Sequence, residues 1–339
     1  MIMLDGERRD LAGQGRDQGW TARTAPIAAV WVTLYGLLRV YWNLGHMPAH
    51  MSPVDTDLVA FTGWGSVALC AAAALAALAL ITVPESTGLR RRGLLAFGWA
   101  AGGAMVASSA LFLLDVVGAL APGLGIKFFF VGSLSRAACL GGGVLLVLAT
   151  LSYQRRTRSG CPRCGRSGET HRPDRIPTRA FWAAYLAVAG CLARIVAQYC
   201  VGFGESPLHT AAAVEFEIGF VLGGTLLPLA LVHSFGRIWP RWVPFLAGRR
   251  VPRRLVLWPG AAISGGLVVY FGLMLVEMVV QRAQGHNPFP ESDGPKGLHL
   301  PESFFWVAVP SYWIWGVGMA CASIAYYRLT RPGCRRCGR

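Results

Sequence analysis

The sequence predicts an all-α membrane protein with eight transmembrane helices, arranged as two parallel four-helix repeats. Three observations carry this expectation. The chain is 54% hydrophobic and only 14% charged, with a mean hydropathy of +0.45. Its apolar runs recur at lengths of about 20 residues, enough to cross a hydrocarbon core of about 30 Å. Finally, the string Cys161-Pro-Arg-Cys164-Gly-Arg166 returns at the C-terminal end as Cys334-Arg-Arg-Cys337-Gly-Arg339, each copy after a long apolar stretch and a short basic spacer. Punctuation repeated in this way points to an internal duplication.

The elements follow in order. Residues 1–25 are polar and glycine-rich, with Arg8, Arg9, Asp10, Arg16 and Asp17, and read as a disordered cytoplasmic tail. They lack the short apolar core and small-residue cleavage site of a secretory signal. Spans are expected near 27–46, 58–83, 94–118 and 127–152, within a first repeat covering 26–153. A cytoplasmic linker at 154–179 carries the first cysteine pair. The second repeat, 180–328, places spans near 180–202, 211–234, 256–280 and 304–327, and residues 329–339 form a second cytoplasmic tail. Helices are required because an unclosed sheet leaves backbone groups unpaired in lipid.

Charge sets the orientation. Basic residues gather at Arg90-Arg91-Arg92, between Arg155 and Arg179, from Arg237 to Arg254, and at Arg328, Arg331, Arg335, Arg336 and Arg339. The alternate loops at 47–57 and 203–210 contain no Lys or Arg. Both termini are therefore expected on the cytoplasmic side of the inner (plasma) membrane. The net charge of +15 has the distribution of a topology signal, so no nucleic-acid partner is expected; the partner is the lipid bilayer.

Comparing the two halves isolates the polar residues. Arg39 is followed after four residues by Asn43, and Arg194 after four by Gln198, a step that keeps both on one helix face. Asp55 and Asp57 open the second span; Glu215 and Glu217 open the sixth. Asp115 and Glu277 stand as lone acids near the outer ends of spans three and seven. Ionisable groups within a membrane are costly unless paired or hydrated. Two readings follow. Either each half holds an outward-facing Arg/acid pocket for a small polar or anionic solute, or Arg39 pairs with Asp57 or Asp115, and Arg194 with Glu217 or Glu277, to fix helix register. Arg136 has no clear counterpart and is expected to snorkel outward.

Cys161, Cys164, Cys334 and Cys337 form two half-sites of zinc-knuckle type. Together they offer four thiolates, the donor set of a closed structural zinc site. Their separation along the chain is far outside finger spacing, but the topology puts both on one face of the membrane. The remaining cysteines fall inside spans, where compact apolar packing is the ordinary role. His46, His50 and His209 gather at outer span ends without ligand spacing.

The segment Tyr35-Gly-Leu-Leu-Arg39-Val-Tyr41-Trp42-Asn43-Leu-Gly45 resembles the first-helix pattern of uncharacterised four-helix integral membrane proteins of high-GC actinobacteria. The resemblance implies a tandem copy of such a unit and no activity. No nucleophile elbow, phosphate loop, HExxH or dinucleotide fingerprint occurs in a credible context. A solute-binding protein or carrier, a membrane enzyme acting on a lipid or envelope substrate, and a structural or regulatory protein all remain open. Diverged halves with one competent site would favour the enzyme; polar groups at the midplane would favour the carrier.

Overall fold

The computed structural model describes residues 23–49, 51–52, 62–83, 87–120, 126–157, 176–201, 211–241, 243–288 and 301–331, with the side chains of 211–216 left out. The helices are α1 (Arg23–His46), α2 (Gly63–Thr82), α3 (Gly88–Ser108), α4 (Phe112–Leu120), α5 (Phe130–Arg156), α6 (Thr178–Val201), α7 (Ala211–Val232), α8 (Arg253–Ala283) and α9 (Glu302–Thr330). Among the described residues no strand forms beyond one isolated bridge, Ile238 with Arg250. Among the described residues, seven helical segments are long and apolar enough to cross a membrane, with α3 and α4 counted together; α7 is also apolar. The protein is thus an all-helical, multi-pass membrane protein.

The third span departs from the continuous helix expected. It breaks at Ser109, Ala110 and Leu111, between α3 and α4. The cause is local: Ser108 Oγ donates to Ala104 O at 2.9 Å, and Ser109 Oγ to Val106 O at 2.7 Å. Two consecutive hydroxyls compete with the backbone amides for the same carbonyls, which bends or interrupts a helix. A second irregularity closes α1. Residues Trp42–His46 widen into a π turn, made possible by Gly45 at φ 103°, a left-handed conformation that glycine adopts without steric cost.

Two buried cores organise the helices. The first gathers Ala28, Val32 and Tyr35 of α1 with Cys70, Ala73 and Ala77 of α2, Met105 of α3, and Cys139, Leu146 and Tyr153 of α5. The second gathers Ala184, Ala187 and Cys191 of α6 with Leu231, Leu267, Trp315, Met319 and Tyr326 of α7, α8 and α9. The small residues let backbones approach closely, the usual basis of helix association in lipid. A Cβ on Gly36 would lie 3.2 Å from Cys70 Cβ, and one on Gly224 would collide with Cys191 Sγ. Likewise, a Cβ on Gly142 would lie 3.1 Å from Val32, and one on Gly318 would lie 3.1 Å from Ala187 Cβ. The helix pairs α1–α2 and α6–α7 thus share one contact, and α1–α5 and α6–α9 another. The bundles touch where α3 and α4 meet α8, with Leu113 packed against the second core.

Candidate functional site

A cavity lined by both polar and apolar side chains lies at one end of the first bundle. It is small, about 60 Å³, and its lining includes Tyr35, Arg39, Ser52, Thr62, Ser135 and Arg136. Each wall has a sequence-level reason to be there. Tyr35 and Arg39 are four apart on α1 and share a face. Ser135 and Arg136 occupy the second turn of α5, held close to the chain by Gly132, whose missing Cβ leaves room for the Met51 carbonyl. Tyr35 Oη and Ser135 Oγ share a hydrogen bond of 3.0 Å. Arg39 is 6% exposed; its Nε donates to Ser66 Oγ at 3.0 Å, and its guanidinium lies 5.6 Å from the Trp42 ring.

Behind this lining sits a two-pronged salt bridge. Arg136 Nε and Nη2 donate to the two oxygens of Asp115 at 2.5 and 2.7 Å, and Nη1 donates to Met51 O at 3.0 Å. The Asp115 carboxylate is 0% exposed and Arg136 only 13%. A carboxylate removed from water to that degree stays charged only beside a fixed cation. The parallel Arg–carboxylate fork is the strongest geometry available for such a pair.

The corresponding end of the second bundle has different contents. Arg194 pairs with Glu217, and its guanidinium lies 5.3 Å from the ring of Phe220 and 5.7 Å from that of Tyr312. Phe220 also meets Trp315 edge-on, with centroids 4.8 Å apart. The Gly36–Cys70 and Cys191–Gly224 contacts set α1 and α2 against α6 and α7; the Gly142–Val32 and Gly318–Ala187 contacts do the same for α5 and α9. Counted from those pairs, Phe220 falls at the place of Ser66, Tyr312 at that of Arg136, and Trp315 at that of Cys139. Phe220 and Tyr312 thus lie against Arg194, and Trp315 packs against both of them. Gly190, at the place of Tyr35, admits them: a Cβ there would lie 3.0 Å from Trp315 N.

The residues singled out from sequence separate into groups. Arg39 lines the cavity, and Arg194 is closed in by Glu217. Asp115 is held by Arg136 through both of its oxygens. Arg136 accordingly does not snorkel outward. Glu277 is exposed and accepts from Gln281 Nε2 at 2.6 Å, away from the expected role with Arg194. Asn43 donates to Gly63 O at 2.9 Å and joins the ends of α1 and α2 without lining the cavity. Gln198 is buried in α6. Glu215 lies in α7 with its side chain outside the described residues, as are Asp55, Asp57, Cys161, Cys164, Cys334 and Cys337 in full.

Sequence reasoning missed Tyr35, Ser66, Ser135 and Arg136 as cavity or support residues, and Phe220 and Tyr312 as the cover of Arg194. One signal was present. Asp115 closes the third span and Arg136 opens the fourth, so opposite charges stand at equal depth on neighbouring helices. Compared with protein-family models, curated proteins and solved structures, the chain matches none.

Proposed function

We propose that this protein binds a small anionic or polar solute at the Arg39–Arg136 end of its first bundle. The support is the convergence of the Arg39 guanidinium and the hydroxyls of Tyr35, Ser52, Thr62 and Ser135 on one cavity, bordered by the Asp115-paired Arg136. Such a lining is rich in donors and has room for a small anion or a few waters. In this reading the chain is two copies of a four-helix unit, eight spans in all, with both termini cytoplasmic in the inner (plasma) membrane. The second copy has exchanged its cavity for aromatic packing around Arg194. The four cysteines outside the described residues share one structural zinc, a proposal that stands on their donor chemistry alone.

The test is a thermal-stability titration of the purified protein with phosphate, sulfate, bicarbonate and acetate. A ligand of the native state at free concentration L stabilises it by RT ln(1 + L/Kd), so the unfolding temperature rises with the logarithm of concentration above Kd. At least one anion is expected to do so; Arg39→Gln should abolish the shift. Arg194→Gln should lower the starting stability and leave the shift in place. Absence of any saturable response in the unmodified protein would overturn the proposal. The divergence of the two bundles also favours a membrane enzyme with one competent site; catalysed turnover of an envelope or lipid substrate, lost in Arg39→Gln, would distinguish it from simple binding.

A further inference from the structure

A second recess lies at the opposite end of the other bundle, where α6 begins and α9 ends. Its volume is about 450 Å³, within the roughly 300–1,000 Å³ of ligand pockets. Its lining combines the small side chains Ala180, Ala183 and Ala325 with Ile324, Cys321 and two arginines, Arg179 in the first turn of α6 and Arg328 in the last turn of α9. The two arginines are exposed, and among the described residues no acid lines the groove and no carboxylate pairs with either cation. Further along, α6 and α9 pack tightly through Gly190 and Gly318, so the groove opens where that contact is released.

We infer that this groove holds an anionic phospholipid, with an acyl chain along the alanine side chains and the headgroup phosphate between Arg179 and Arg328. The shape supplies the first half of the argument: a mostly apolar furrow between transmembrane helices is filled by hydrocarbon more favourably than by water. Charge supplies the second. Guanidinium groups bind phosphate through paired N–H donors, and basic recesses between helices at a membrane's basic face select anionic headgroups. The groove shares no residue with the Arg39 cavity, so the two proposals stand or fall separately.

The experiment uses the full chain in detergent micelles, offered phosphatidylglycerol or phosphatidylcholine, with bound lipid counted by native mass spectrometry. Phosphatidylglycerol should be retained over phosphatidylcholine by on the order of twentyfold, from two arginines near an anionic headgroup. The double variant R179Q/R328Q should bring the two lipids to parity. Cys321→Leu, which narrows the groove and leaves its charge intact, should reduce retention of both. R90Q/R92Q, at an exposed site on the first bundle, should change nothing. The unfolding temperature of each variant is recorded alongside; if the double variant fails to fold, R179Q alone should lower the preference several-fold. Parity in the unmodified protein, or a preference that survives R179Q/R328Q, overturns the inference. So does a lipid-free dimer that Cys321→Leu disrupts, which would assign the groove to a second copy of the chain.

Discussion

Asp115 and Arg136 face each other across the contact between α4 and α5, joined by two parallel hydrogen bonds, with the carboxylate wholly removed from solvent. Their pairing fixes the short helix beyond the Ser109 break against the start of α5. It also carries the Met51 carbonyl, so the chain leaving α1 is tied to the same guanidinium.

Removing one member of this pair strands the other. Asp115→Asn or Arg136→Gln should each cost about 3–5 kcal/mol of stability, whereas the apolar double replacement D115L/R136M should cost far less or nothing. Unfolding midpoints of the three variants in detergent check this. Additive losses in the double variant would mean that the two side chains are not coupled.

Gly132 should be intolerant of even one methyl group. Its Cβ would fall on the Met51 carbonyl oxygen, so Gly132→Ala must displace either the α5 backbone or the segment that touches Arg136. A loss of about 1–3 kcal/mol is expected, the range for overpacking. Gly103→Ala is the matched control, because open space surrounds that position and alanine is the better helix former.

The metal proposal predicts about one zinc per chain in protein purified without chelators. Replacing Cys161 and Cys164 with serine should abolish zinc as fully as replacing Cys334 and Cys337. Occupancy should fall as the medium is acidified, since protonated thiols do not bind. Metal retained by one pair in the absence of the other would rule out a shared site.

Topology is testable with an impermeant thiol reagent on intact cells. In a background lacking the exposed Cys200 and Cys321, cysteines introduced at Ser52 or Gly285 should be labelled. A cysteine at Ser167 should not be, unless the membrane is opened. Labelling of Ser167 from outside would reverse the orientation of every helix.

The helices were legible because apolar length is a property of the chain in one dimension: the expected span 304–327 lies inside α9, and 127–152 overlaps α5 from Phe130 onward. The Ser109 break was not anticipated, although Ser108-Ser109 was in plain view, because span length alone does not weigh hydroxyls against backbone amides. Partner choice was harder still. Sequence position places Arg39 and Asp115 towards the same membrane face, but which acid a guanidinium reaches depends also on helix rotation. Rotation is set by contacts such as Gly132 against Met51, which span distant parts of the sequence. The aromatic cover over Arg194 was obscured for the same reason, since Phe220 and Tyr312 meet only after α7 and α9 have packed.

The Gly36–Cys70 and Cys191–Gly224 contacts place the same two residue types in opposite order at matching helix crossings. Starting from either arrangement, enlarging the glycine first crowds the crossing, and shrinking the cysteine first leaves it hollow. Each single step therefore carries a penalty that the second step removes. At such a crossing the consequence of one change is set by the residue that faces it, so the two positions act as a single unit of volume.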